Sequence, residues 1–275
     1  MYVQAREELG QVPILQSSPK EANWVWCSSP RWVCPKLKQL KVGNITVWSL
    51  RVYTPFFFEA GMAIDADGAP NAYHPQDIGL DFLKNAGYPP KPGKTPWGIV
   101  TNATGKPVIQ GKGDPFPDYF VSPTSLVDGT RQRTDPRRYV DSTQIPYIAL
   151  PKALADKLSL KLGDFAAVIN RKNGRLSYAI FADIGPAARL GEGSIALAQS
   201  LGHNPLVMGK VRNGISGYII YILFPESGNG KPRPIAEINS EGARLFEDWG
   251  GVMRTNACFP EFPHLPPLDP FSRYA

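Results

Sequence analysis

The chain has 275 residues, a formal net charge of +6 and a hydrophobic content of 43%, enough to bury a sizeable core in one or two domains. No run approaches the roughly 18 consecutive apolar residues that a membrane-spanning helix needs, so no membrane partner is expected. Three cysteines are too few for a disulfide scaffold, and no Cys/His spacing suggests zinc.

With 28 Pro and 26 Gly, the composition favours short strands joined by many turns over long helices. Residues 1–45 show weak periodicity and a patch rich in Trp24, Trp26 and Trp32, and read as an extension packed on a main domain. The opening MYVQAREELGQVPILQ lacks a basic stretch followed by an apolar one, so no signal peptide is read there. Cys27 and Cys34 flank a short loop and are placed to pair in an oxidising compartment, with Cys258 left free; three unpaired thiols are the equal alternative.

Val47 to Phe58 reads as a strand, followed by the turn-rich segment GMAIDADGAPNAYHP (61–75) and a short helix near Gly79–Ala86. Trp97 to Val100 and Pro107 to Gln110 read as strands around an Asn102–Gly105 turn. Tyr119 to Val121, Tyr139-Val140 and Tyr147 to Leu150 read as further short strands. A helix over Lys152–Leu158 precedes a hairpin of Phe165–Asn170 and Ser177–Asp183 across Lys172-Asn173-Gly174. Ile215 to Phe224 alternates as a strand, Glu241 to Trp249 is a last helix, and residues 256–275 form a Pro-rich surface tail. The domain proper is thus expected over 46–255.

The most informative stretch is Ser177 to Gly202. An apolar run ends on Asp183, a turn follows, and Gly191-Glu192-Gly193 leads to Ser194, placed to N-cap a helix over Ile195 to Leu201. Two carboxylates nine residues apart on such a segment can divide the work of glycoside hydrolysis: one protonates the leaving oxygen, the other activates water. The same residues could merely cap a turn and a helix. A helix start would also lower the pKa of Glu192, the wrong direction for an acid, unless burial or another carboxylate overcomes it.

Several segments in order resemble glycoside hydrolase family 75, the fungal-type chitosanases. They are residues 61–75 with GLDFLKNAG, WGIV, GKPVIQGKGDPFPDYFVSPTSL, YVDSTQIPYIALP, GDFAAVIN, AIFADIGPAARLGEGSIALAQSLG, IIYILFP and LFEDWGG, spanning about 59–251. The resemblance implies an endo-acting, inverting enzyme on chitosan, with Asp183 as general base and Glu192 as general acid. The run from Asp183 to Gly202 also resembles double-psi β-barrel proteins, which by analogy implies a mainly β fold: a six-stranded double-psi β-barrel-like core with a few short helices and long loops. No cofactor is expected and the protein is read as a monomer, while the family resemblance implies secretion despite the lack of a visible signal peptide.

Charge distribution fits that reading. Between Arg51 and Lys84 there is no Lys or Arg, while Glu59, Asp65, Asp67, Asp77 and Asp81 fall in that window; from Leu190 to Gly209 there is again none. Basic residues are scattered or gathered in the Arg131–Arg138 loop, which argues against nucleic acid and places that loop away from the cleft. Asp65, Asp67 and Asp81 are expected to attract the amines of a polycation. Tyr73, Trp97 and Tyr119 are candidates to stack on sugars, and His74 to hydrogen-bond substrate, though core packing or a structural hydrogen bond is the more usual role of any one such residue. Asp65-Ala-Asp67-Gly suggests a calcium loop, but Gln76 stands at the twelfth position where glutamate belongs, so no metal is expected. The alternatives are cleavage of another amino-sugar polymer such as peptidoglycan, hydrolytic or lytic, and a non-catalytic polysaccharide-binding barrel.

Overall fold

A computed structural model describes residues 34–50 and 55–260. Its strands are β1 (Leu37–Val42), β2 (Ile45–Ser49), β3 (Phe56–Asp65), β4 (Tyr147–Pro151), β5 (Phe165–Asn170), β6 (Arg175–Gly185), β7 (Glu192–Ser194), β8 (Leu206–Val207), β9 (Lys210–Val211) and β10 (Ile215–Phe224). The helices are α1 (Lys152–Lys157), α2 (Ile195–Ser200), α3 (Ile235–Trp249) and α4 (Gly251–Cys258).

Six strands close on themselves in the order β3-β10-β5-β6-β4-β7, with β7 returning to β3. Two contacts in this ring, β3–β7 and β4–β6, are parallel and the remainder antiparallel. The mainly β barrel expected from the sequence is therefore the fold. The hairpin β1–β2 continues the sheet outside the ring through Trp48 opposite Phe57.

Period-two alternation explains why these strands are apolar at nearly every position. Along β10, Ile219, Tyr221 and Leu223 fill the barrel interior with Phe58, Ala166, Val168, Ala179 and Phe181. The intervening Ile220, Ile222 and Phe224 join Phe57, Ala167, Ile169, Phe246 and Trp249 in a second core on the outer face. There α3 packs against β5 and β6, with Gly242 against Tyr178. Leu197 and Ala198 of α2, with Leu201 just past its end, belong to the interior core.

Several expectations change. Val47–Phe58 is not one strand: β2 ends at Ser49 and β3 begins at Phe56, with 51–54 outside the described residues. The turn-rich reading of 61–75 fails at its start, because Gly61 to Asp65 continue β3. The helix near Gly79–Ala86 shrinks to a 3-10 turn at Leu83–Ala86, where Asp81 and Asp77 accept from the Phe82 and Leu83 amides. Residues 97–121 and 139–140 form isolated bridges and not strands (Thr101 to Pro107, Ile109 to Phe120, Val127 to Tyr139), and Pro107 has no N–H to extend the first of them.

The helix expected over Glu241–Trp249 is α3, which starts six residues earlier at Ile235 behind Pro234 and is followed by α4; Ser240 lies inside it, its hydroxyl donating to Glu237 O. Cys34 is bonded to Cys258, across 224 residues of sequence, which rules out Cys34–Cys27 and removes Cys258 from the free thiols. The tryptophan-rich patch, Cys27 and the tail from 261 lie outside the described residues. Structure crosses both expected boundaries, since β1 and β2 begin before residue 46 and α4 runs past 255.

Closing so long a loop should stabilise the fold by about 2–5 kcal/mol, mainly by restricting the unfolded chain. Cys258→Ser should lower the denaturant midpoint and abolish its sensitivity to dithiothreitol. A wild-type midpoint unmoved by reductant would remove the bridge from the stability of the fold.

Candidate active site

The site is built on the outer face of the ring where β3, β7, β4 and β6 lie side by side. Ala149 on β4 is in register with Asp183 on one side and Glu192 on the other, and Glu192 is in turn opposite Ala63. One row therefore reads Asp183, Ala149, Glu192, Ala63 across four strands. Residues in register on neighbouring strands share a face, and Asp65, two residues beyond Ala63, shares it too. With about 4.8 Å between strands, the Cα atoms of Asp183 and Glu192 stand roughly 9–10 Å apart. Only the small, buried Ala149 separates them.

Two irregularities aim this row. The β4–β6 register passes from Phe181 opposite Ile148 directly to Asp183 opposite Ala149, skipping Ala182, a bulge of the kind that re-aims a side chain. Glu192 was expected on an irregular loop, but Gly191 turns the chain straight into β7. Gly191 has φ +85, and a Cβ there would lie 2.1 Å from Gly61 O. Ser194 caps α2 as expected, its hydroxyl accepting from Leu197 N at 3.1 Å. The same hydroxyl accepts from Tyr147 N and donates to Ile145 O, tying β7 to β4.

A cleft of about 620 Å³ opens over the row, lined among others by Asp65, Asp67, Asp81, Asp183 and Glu192. Lys84 and Arg189, the cations bordering the two windows without basic residues, also line it. Burial lifts the Glu192 carboxyl to about 7, helped by the charge of Asp183 and opposed by Arg189. This is the burial and carboxylate pairing needed to overcome the helix start. Burial likewise raises Asp183, against hydrogen bonds from Ser125. Asp65 and Asp67 are lifted well above the usual carboxylate range by burial, then by neighbouring carboxylates, with Tyr73 and Ser122 opposing at Asp67. Oxygens of Asp65, Asp67 and Asp183 all lie within 4.8 Å of one another, a grouping able to hold a cation, either an ammonium or a metal ion.

The sequence-derived candidates separate. Asp183, Glu192, Asp65, Asp67, Tyr73, Asp81 and Trp97 all line the cleft. Asp65 also holds the turn by accepting from Asp67 N at 2.9 Å. Tyr73 is buried, and only its hydroxyl reaches the carboxylates, donating to Asp67 Oδ1 at 2.7 Å. Trp97 is 70% exposed, its indole N–H fixed on Asn85 O at 2.7 Å. His74 and Tyr119 pack edge-on against each other outside the lining, and His74 Nδ1 accepts from Gln76 N. In the Arg131–Arg138 loop, Arg131 and Arg137 pair with Asp114, Asp128 and Asp135, and the loop contributes nothing to the lining of this cleft. Sequence reasoning missed Ser125, Arg189 and Gly185. A Cβ on Gly185 would meet Glu192 Oε2 at 2.8 Å, a close approach that no local sequence signal announces.

A pair of carboxylates across a cleft is an arrangement able to carry out acid–base hydrolysis of a glycosidic bond. Residues 121–250 match the model of the family described as fungal chitosanase of glycosyl hydrolase group 75, and that match supports a glycoside hydrolase. The match holds Asp183 and Glu192 together with β4, β5, β6, β7, β10 and α3, whereas Asp65, Asp67, Tyr73, Asp81 and Trp97 precede it. A search of curated proteins gave no match.

Two outcomes follow from this packing. In Gly185→Ala the new methyl displaces only the flexible end of Glu192, so the melting temperature should stay within about 3 °C of wild type while activity falls at least tenfold. A fully active variant would show that the Gly185 contact does not set the position of Glu192. The Glu192 carboxyl titrates near 4.5 when unfolded and about 7 when folded. Its charge therefore destabilises the fold progressively from pH 4.5 to 7 and fully above. Glu192→Gln should match wild type at pH 4 and melt at a higher temperature at pH 8, as followed by circular dichroism; equal melting at both pH values would contradict the burial effect.

Proposed function

We propose that the protein is an endo-acting chitosanase that cleaves β-1,4 bonds between glucosamine units with inversion. The observation that carries this reading is the row in which Glu192 and Asp183 flank Ala149, with the Glu192 carboxyl raised to about 7. At mildly acidic pH Glu192 still holds its proton and gives it to the glycosidic oxygen as the C–O bond breaks. Asp183, ionised, removes a proton from a water whose oxygen bonds to the anomeric carbon. Solvent then restores both protonation states.

One intervening strand leaves the span that an attacking water needs, since inverting pairs stand about 6.5–9.5 Å apart at their carboxyl groups. Asp65 and Asp67 favour cationic sugar units through charge, and the exposed face of Trp97 offers a sugar platform. The disulfide is of a kind that persists in oxidising compartments, which supports export, as does a polymer substrate.

Asp183→Asn and Glu192→Gln should each turn over soluble chitosan at less than about a hundredth of the wild-type rate, with circular dichroism unchanged. Loss at both positions separates hydrolysis by two carboxylates from lytic cleavage, which needs one. Proton NMR of the first product from a chitosan oligomer should show the α-anomer. Early β-anomer, or a rate above a tenth of wild type in either variant, would sink the assignment.

A further inference from the structure

The strip of chain at Ser122 to Leu126 belongs to no strand, yet it makes the shortest polar contacts to Asp183. Leu126 N donates at 2.8 Å to the carbonyl of Ala182, the residue skipped by the β4–β6 register. Thr124 secures the strip by donating its hydroxyl to Leu126 O at 2.8 Å and accepting from Val140 N at 3.0 Å. The bulge thus draws Ser125 against Asp183, and Ser125 N and Oγ reach the same oxygen, Oδ1, at 2.8 and 2.6 Å. The serine oxygen also accepts from Ile184 N at 3.2 Å, so its single proton is left for the carboxylate. Three residues earlier, Ser122 holds Asp67 in similar fashion, accepting from Gly68 N and donating to Asp67 Oδ1 at 3.3 Å.

We propose that Ser125 is a positioning residue for the hydrolysis: its amide and hydroxyl fix Oδ1 of Asp183, present Oδ2 to the attacking water and hold Asp183 as the ionised member of the pair. The inference rests on the reading of Asp183 as the base. The surroundings make such a device necessary. Asp65 and Asp67 at the end of β3, Glu192 on β7 and the Tyr147 ring on β4 face Asp183, while Asp81, Lys84 and Arg189 line the same cleft. Burial and nearby carboxylates all favour the protonated form. Charge on Asp183 is favoured by hydrogen bonds from Ser125 and the Ile184 amide. Two donors on one carboxylate oxygen also restrict its rotation, which orients as well as ionises it.

The test compares wild type, Ser125→Ala, Ser125→Cys and Ser125→Thr, measuring kcat and KM on soluble chitosan across pH, with Asp183→Asn alongside. Cysteine keeps the shape of serine with a poor donor, and threonine keeps the hydroxyl. Ser125→Ala and Ser125→Cys should lower kcat about tenfold or more with KM within about twofold. They should also move the acidic limb of kcat up by about one pH unit, because the base then protonates more readily. Ser125→Thr should recover most of the rate and the original limb. If the alanine variant does not fold, the cysteine variant carries the comparison. An unmoved limb and wild-type kcat in the donor-deficient variants, with Asp183→Asn inactive, would overturn the role of Ser125 alone. So would a threonine variant as impaired as the alanine variant. An active Asp183→Asn would instead remove the base assignment itself.

Discussion

Three residues, Glu192 to Ser194, hold the ring of strands closed. Without β7, β3 and β4 would each present an unpaired edge, and the barrel would be an open curved sheet with its interior core exposed on one side. So short a strand cannot hold by ladder hydrogen bonds alone. It is anchored at one end by the turn at Gly191 and at the other by the Ser194 hydroxyl, which serves β4 and α2 at once. Closing the ring and placing Glu192 are the same structural event, so the geometry of the carboxylate cleft inherits the rigidity of the fold.

That placement has a thermodynamic cost. Four carboxyl groups are gathered on one face, and burial raises every one of them. A scaffold selected for stability alone would put apolar or neutral side chains there. Function at such a site depends on a conflict that the remainder of the core outweighs. Hydrogen bonds from Tyr73 and Ser122 to Asp67, and from Ser125 to Asp183, oppose that rise at those two groups.

Much of this arrangement was readable from residues because its signals are local. The hairpin of β5 and β6 follows from two apolar runs across Asn173-Gly174, and the cap at Ser194 from the apolar helix behind it. The two candidate carboxylates stand in one segment, although their spacing alone left a capping role open and the family resemblance singled them out. What could not be read depends on register between distant strands. Nothing in the neighbourhood of Ala149 says that it lies between Asp183 and Glu192, since that requires the β4–β6 bulge and the antiparallel contact with β7. A three-residue strand shows no periodicity, and a serine in a proline-rich loop, such as Ser125, carries no signal until the fold places it beside an acid. Cys34 and Cys258 meet only because β1–β2 and α4 converge on one core, while the nearer Cys27 offered the obvious but incorrect partner.

The bridge between those two cysteines turns everything from β1 to α4 into a single covalent ring. The exposed loops around 111–118 and 129–134 lie inside it. A protease that nicks either loop yields two pieces still joined through sulfur, and their rejoining is intramolecular, at high effective concentration. Tension on chain outside the cysteines likewise passes through the bridge and bypasses the barrel. Damage that would dissociate an unbridged barrel becomes, in this one, a cut with the strands still in place.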